Sequence, residues 1–465
     1  MHTDDSLGRD VPISASRSFE GRENPRATLL KRLALASGYL LGFLTLLFIY
    51  QQGFFFNSLG LKSTAGNPST FENFEAGSET SVTFMMERTR QHGPDATGGF
   101  MVGVYPDGAR DPGGPVYLSC FGGQGMFFSW LAARLPAMSV EEVAERSRFY
   151  VALATAAAFS LFTLFVLRRF GWTAALCFLV CTNLSVWLVF AARNIYLAFI
   201  LKLVPFFLSF TLTAWSARRP RWRLPVLALA LASSVLLSAL CFYDYLTNTV
   251  LSLAVGPIYI GLREGWPRRR VLGWSACFIA AGAAGLILGL LLHFIKVGMA
   301  IDSFDQAFRI ISHLAVNRSF GDADPARSAG DAMSMAYVWG GYWPIQMLVL
   351  PFPQDGEYAI WLSLQSFVFS SMILAALAFL DGRRFPVFEA ERPKLVGLAA
   401  ATAWGLLASV SWGLLMKGHM SHHFHMNGMM FSIPFLLLYP ILLGTVLSTI
   451  ARQLLQFIKR PSPNH

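Results

Sequence analysis

The sequence predicts an all-α polytopic membrane protein with about 10 transmembrane helices and two large outer loops. Three observations carry that expectation. Of 465 residues, 54% are hydrophobic and only 14% are charged, against about 25% charged in an ordinary soluble domain. Phe occurs 40 times, which suits a surface facing lipid. Ten apolar stretches, at 31–52, 149–168, 172–191, 194–215, 224–242, 247–263, 271–295, 358–380, 395–416 and 428–450, approach the length needed to cross a bilayer. A hydrocarbon core about 30 Å thick takes roughly 20 residues of helix.

Taken in order, residues 1–30 form a polar tail expected to be disordered. The apolar run Leu33–Tyr50 is too long for a secretory h-region and no A-x-A cleavage site follows, so it reads as a retained first helix. It opens a seven-span core, 31–295, that contains the first outer loop, 53–148. Within that loop Phe54–Gly77 is rich in Gly, Ser and Asn and reads as irregular. Ser78 then has the chemistry to cap a helix, Glu79–Gln91, with Glu79 in its favourable first turn. Val82, Met85, Met86 and Thr89 share one face, which predicts a helix lying on the membrane surface and ended by Gly93-Pro94. Ser139 and Glu142 have capping-box spacing and open a helix, Val140–Arg148, that leads into the second span. The pattern is least regular between the third and fourth spans and at the sixth, which contains Pro257. A second outer loop, 296–357, three C-terminal spans, 358–450, and a tail, 451–465, complete the chain.

The links between spans alternate in charge. One set holds the N-terminal basic residues, Arg168 and Arg169, Arg218–Arg223, Arg263 and Arg268–Arg270, Arg383–Lys394 and the C-terminal Arg452, Lys459 and Arg460, which is more than half of the 37 Lys and Arg. The short links of the other set hold only Arg193 and Lys417. This bias predicts cytoplasmic termini and large loops on the periplasmic or extracellular side of the plasma (inner) membrane. Removing any one span would break the alternation. The formal charge of +10 therefore does not point to nucleic acid, because the basic residues sit between apolar segments and form no basic arm. Of five cysteines, Cys120 is alone in a polar loop and the rest lie in apolar segments. Without a CxxC pair, neither a zinc site nor a disulfide framework is expected.

The unusual polar residues gather on the outer side. Arg193, Asn194 and Tyr196 lie where the third span meets the fourth, and Tyr243, Asp244 and Tyr245 lie between the fifth and sixth. His419, His422, His423 and His425 precede the tenth. The 296–357 loop adds Asp302, Asp305, Arg309, His313, Arg318 and the aromatic stretch Tyr337–Trp343. Each has a plainer reading. Arg193 can snorkel to the interface, and Tyr243 and Tyr245 can be belt aromatics. The histidines match no zinc spacing and read as a polar rim or as phosphate contacts, so no metal ligand is assigned and a divalent metal stays open. Asp244 is harder to set aside, because an acid between apolar spans usually has a partner or a task. Lys202 is basic and well inside the fourth span, either paired with another span or facing a lipid phosphate.

This layout resembles the GT-C superfamily of membrane glycosyltransferases, which includes protein O-mannosyltransferases and the aminoarabinose transferases of lipid A. Members carry a large first outer loop, a core of about seven spans and a second large outer loop after the seventh. The local pattern is also similar: Gly77-Ser78-Glu79-Thr80, the helix through Met85-Met86-Glu87 to Gly93, the stretches Tyr117–Gly125 and Phe127–Leu135, and the acidic helix Glu141–Arg148 before the second span. Arg193-Asn194-Ile195-Tyr196 occupies the family's Arg-containing step. The resemblance covers roughly 30–350 and departs from the family at Ser78, where an acid is usual, and at Asn194.

The resemblance implies a donor sugar on a polyprenyl phosphate, a lipid, glycan or protein acceptor, membrane lipids around the spans, and inversion at the anomeric centre. An outer-loop carboxylate would act as base: Glu79, with Asp95 in reserve and Glu72 and Glu75 as further candidates. Arg193 would bind the donor phosphate, followed by Lys202, His419 and His422, while Asp244, Tyr243, Tyr196 and Tyr245 would contact substrate. No cofactor is assigned, and a divalent metal stays open. Three other readings compete. A transporter or lipid flippase would use broken helices such as those Pro205 and Pro257 could make. An O-antigen ligase or polymerase usually has its major outer loop late in the chain. A structural assembly subunit would tolerate replacement of the outer acids and arginines.

Overall fold

The computed structural model describes residues 25–52, 71–92, 121–216, 223–320, 346–351, 359–380, 383–416 and 428–459. The described chain is almost wholly helical. The helices are α1 (Pro25–Gln52), α2 (Phe71–His92), α3 (Gly123–Arg134), α4 (Val140–Phe170), α5 (Trp172–Leu184), α6 (Val186–Arg193), α7 (Ile200–Ser216) and α8 (Arg223–Cys241). They continue with α9 (Leu246–Ser252), α10 (Val255–Arg263), α11 (Arg268–Ala300) and α12 (Phe304–Phe320). After an antiparallel pair, β1 (Gln346–Pro351) and β2 (Ala359–Ser363), come α13 (Leu364–Leu377), α14 (Pro386–Leu415), α15 (Gly428–Ser432) and α16 (Phe435–Lys459). The β-pair departs from the expected all-α fold; Leu348 pairs with Leu362 and Leu350 with Ile360.

Five of the described helices, α4, α8, α11, α14 and α16, are long and apolar enough to cross a membrane, and α1, α5, α7 and α13 contain shorter apolar stretches. Large apolar side chains stand exposed along them, including Leu41 at 68%, Leu229 at 68% and Met372 at 64%. Water would penalise that surface, and lipid does not.

Several expected spans are divided, each for a local reason. The third, 172–191, breaks at Ser185, whose side chain accepts from the Leu188 N–H at 3.3 Å and caps α6. The sixth breaks between α9 and α10, so Pro257 stands in the first turn of α10, where its missing N–H has no intrahelical partner to lose. The tenth breaks before Pro434. The expected fourth span begins six residues late, at Ile200, because the Asn194 side chain accepts from the Leu197 N–H and Ala198 takes a left-handed φ of 42°. Lys202 therefore lies in the first turn of α7 and not deep within a span.

The first-loop helix also differs from expectation. It begins at Phe71, so Ser78 lies inside α2 and is not its N-cap. Helix-forming Glu72, Glu75 and Ala76 precede Gly77, and a single interior glycine costs only about 1 kcal/mol. The face bearing Val82, Met85, Met86 and Thr89 is buried, and its Val82 and Met86 pack with Phe128 and Ala132 of α3, Val143 and Ala144 of α4, and Ile195. Periodicity correctly marks that face as covered, but protein covers it and not the membrane surface. The Ser139–Glu142 capping box is present, with bonds of 3.1 and 2.6 Å, and α4 runs unbroken from Val140 through the expected second span.

The centre of the bundle is aromatic: Phe159, Phe162, Phe178, Phe206 and Phe210 are buried together. Close helix approach elsewhere depends on small residues. On α11 a Cβ added to Gly289 would lie 2.7 Å from the Ala239 Cβ of α8, and one on Gly285 would collide with the Ala232 carbonyl oxygen. Gly285→Val is expected to cost about 1–3 kcal/mol through overpacking, read by equilibrium unfolding in mixed detergent micelles. A parental midpoint would show that α8 and α11 can separate without loss.

Candidate functional site

The first-loop helix brings its acid against two other elements. Glu79 is 1% exposed. Its Oε2 accepts from Arg148 Nε of α4 at 2.7 Å, and its Oε1 accepts from the Ile195 backbone N–H at 2.7 Å. Arg148 also pairs with Glu141 and Glu145, both largely exposed. One buried carboxylate thus ties α2, the start of α4 and the turn after α6 together. Arg90 strengthens the same joint from α2, donating to the carbonyls of Ala132 and Leu135 at 3.2 and 3.1 Å.

Three cations at this end each donate to a main-chain carbonyl of a different element. Arg193 Nη1 donates to Gln51 O, near the end of α1, at 2.9 Å. Lys202 Nζ donates to Phe242 O, just past α8, and stands 5.6 Å from the Phe242 ring. Lys296 Nζ donates to Phe121 O at 2.8 Å. For Arg193 and Lys202 the reason is electrostatic: the last carbonyls of a helix lack intrahelical donors and carry partial negative charge. Gln124 adds a neutral link, donating to Tyr196 O at 2.9 Å.

The turn between α8 and α9 carries the remaining groups. Asp244 is 3% exposed and accepts from Arg318 Nη1 of α12 at 3.4 Å. The Tyr243 hydroxyl is 2.9 Å from His293 Nδ1 of α11, with the two rings stacked at 5.4 Å. Tyr245 takes a left-handed φ of 59° and packs against Trp412. A non-glycine residue pays a steric penalty for that conformation, which persists only where the surroundings enforce it. Tyr196 meets Phe242 edge-on at 5.1 Å.

Glu79, Arg193, Lys202, Tyr196, Tyr243, Asp244 and Tyr245 therefore lie on connected elements at one end of the bundle. Asp95, His419 and His422 lie outside the described residues, as do His423, His425 and Tyr337–Trp343. Glu72 and Glu75 lie on α2. Asp305 pairs with Arg309 on the exposed side of α12, away from the Asp244 contact. Among the described residues, no three His, Cys, Asp or Glu side chains are grouped to hold a metal.

Sequence reasoning did not single out His293 or Lys296. Their three-residue spacing at the end of an apolar helix was the available signal, since it places both on one face. Tyr243→Phe should cost about 1 kcal/mol by leaving His293 Nδ1 without this partner. A double-mutant cycle with His293→Phe would measure it, and a zero coupling would dismiss the bond.

In comparisons with known proteins, no family model, no curated protein and no solved structure matches the chain.

Proposed function

We propose that the chain is an inverting membrane glycosyltransferase, moving a sugar from a polyprenyl-phosphate donor to a lipid, glycan or protein acceptor at the outer membrane face. The observation that supports this best is Glu79: a buried carboxylate, fixed by a guanidinium and a backbone N–H, at the same end as Arg193, Lys202, Tyr243 and Asp244. In this reading the apolar stretches make ten crossings, both termini are cytoplasmic and this end faces outward, in keeping with the positive-inside bias.

The transfer needs a base and an anion stabiliser. Glu79 takes the proton of the acceptor hydroxyl, whose oxygen attacks the anomeric carbon. The bond from that carbon to the phosphate oxygen breaks, and the phosphate leaves with the electron pair. An ionised carboxylate offers about four acceptor positions, and Arg148 and Ile195 fix the orientation of the group. Arg193 and Lys202 bring positive charge towards the leaving phosphate, with His419 and His422 as further donors and Asp95 as the reserve base. Asp244, Tyr243, Tyr196 and Tyr245 line the acceptor side.

A second reading, a transporter or lipid flippase, draws on the breaks at α5/α6, α9/α10 and α15/α16, because broken helices build many transport sites. Two assays on the same membranes separate the readings. The enzyme transfers labelled sugar from a polyprenyl-phosphate donor and loses that activity on Glu79→Gln or Arg193→Ala. A transporter moves solute into sealed vesicles under an ion gradient and transfers no sugar.

A further inference from the structure

A second polar cluster lies at the opposite end of the bundle, where α4, α7, α10, α14 and α16 meet. Tyr259 on α10 is fully buried, stacked on Phe210 at 5.2 Å and tilted against Phe170 at 5.2 Å. Neither its hydroxyl nor the buried Nη1 of Arg263, one turn further along the helix, has a partner at full hydrogen-bond geometry, although the Arg263 side chain lies close enough to act on the hydroxyl. The charges acting on Tyr259 belong to Arg263, Arg169 and Glu391. Lys394 on α14 stands 5.7 Å from the Phe170 ring and 3.4 Å from Glu391, and Arg452 and Arg263 also act on it. The helices are in close contact here: a Cβ added to Gly397 would lie 2.9 Å from the Tyr259 carbonyl oxygen and 3.5 Å from the Arg263 nitrogen. Lys394, three residues earlier, shares that face of α14.

Arg169 and Arg263 thus gather at Tyr259, and Lys394 and Arg452 at Glu391, which already accepts from Arg452 at 2.9 Å and pairs with Lys394. Clustered cations repel one another, and a buried donor without an acceptor is costly. One anion with several acceptor oxygens would relieve both. Exposed apolar side chains flank the cluster in sequence: Trp172 two residues after Phe170, and Leu262 beside Arg263. Acyl chains would cover such surface, whereas a free ion would leave it bare.

We propose that this cluster binds the phosphate of an anionic phospholipid in the leaflet at the arginine-rich end. Arg263 Nη1 and the Tyr259 hydroxyl donate to its oxygens, and Arg169 and Lys394 supply the field. Nothing in this proposal depends on sugar transfer at the other end.

The test uses the full chain in detergent and counts retained lipid by native mass spectrometry, titrating phosphatidylglycerol against phosphatidylcholine. Phosphatidylglycerol should bind at least about tenfold more tightly, a difference of about 1.4 kcal/mol. Arg263→Gln should remove that preference. Tyr259→Phe, which keeps the ring packing, should weaken it about threefold. Arg309→Gln, on exposed α12, should leave it unchanged. Equal affinity for the two lipids, or parental binding by both Tyr259→Phe and Arg263→Gln, would overturn the proposal. Displacement of phosphatidylglycerol by millimolar inorganic phosphate alone would reject a lipid as the source of the anion.

Discussion

Arg148→Met is expected to destabilise the folded protein by about 3 kcal/mol, because removing one partner of a buried ion pair leaves the other charge uncompensated. The size follows from the asymmetry of burial. Glu79 is 1% exposed, and Arg148 Nε contacts its Oε2 directly. The other carboxylates around Arg148, Glu141 and Glu145, are 69% and 53% exposed, so solvent screens them and their loss costs little. The Glu79→Gln, Arg148→Met double variant removes both charges and should recover about 2 kcal/mol of that loss, a coupling typical of residues in direct contact. Equilibrium unfolding in mixed micelles measures all three variants. Strict additivity would mean that Glu79 and Arg148 do not depend on each other in solution, and the joint between α2 and α4 would have to be explained without them.

The second large effect is on chemistry. Glu79→Gln retains the volume of the side chain and an oxygen that can accept from the Ile195 N–H, so the turn before α7 should persist. It removes the group proposed to take the acceptor proton. Transfer of labelled sugar should fall by about 100-fold or more, the range for loss of a general base. Lipid binding at the arginine-rich end should be unaffected. An unchanged rate in well-folded Glu79→Gln would leave Glu79 as a structural tie alone and move the base to another acid of the outer loop, with Asp95 first.

The apolar segments were legible because span length is a property of composition. Their breaks were not, because a capping serine such as Ser185 is an ordinary small polar residue until its hydroxyl is seen to meet the Leu188 N–H. The same limit applies to α2. A period of 3.6 identifies the face of Val82 and Met86 as buried, but lipid and protein demand the same side chains there. Glu79 stood out through the first-loop pattern, and Asp244 as an acid between apolar spans. Their partners did not, since Arg148 is 69 residues away and Arg318 is 74, and such pairings are set by how the helices pack. Lys202 was read as either paired with another span or facing a lipid phosphate. It donates to a carbonyl past the end of α8, a group every residue carries and no sequence pattern marks.

The lipid that accompanies the purified protein tests the central claim most directly. Mass spectrometry of extracts from the full chain, before and after incubation with a polyprenyl-phosphate sugar, should find a polyprenyl phosphate bound near one per chain, and Arg193→Ala should reduce it. Recovery of ordinary phospholipids alone, with no isoprenoid retained even after that incubation, would contradict a lipid-linked donor and with it the proposed transferase.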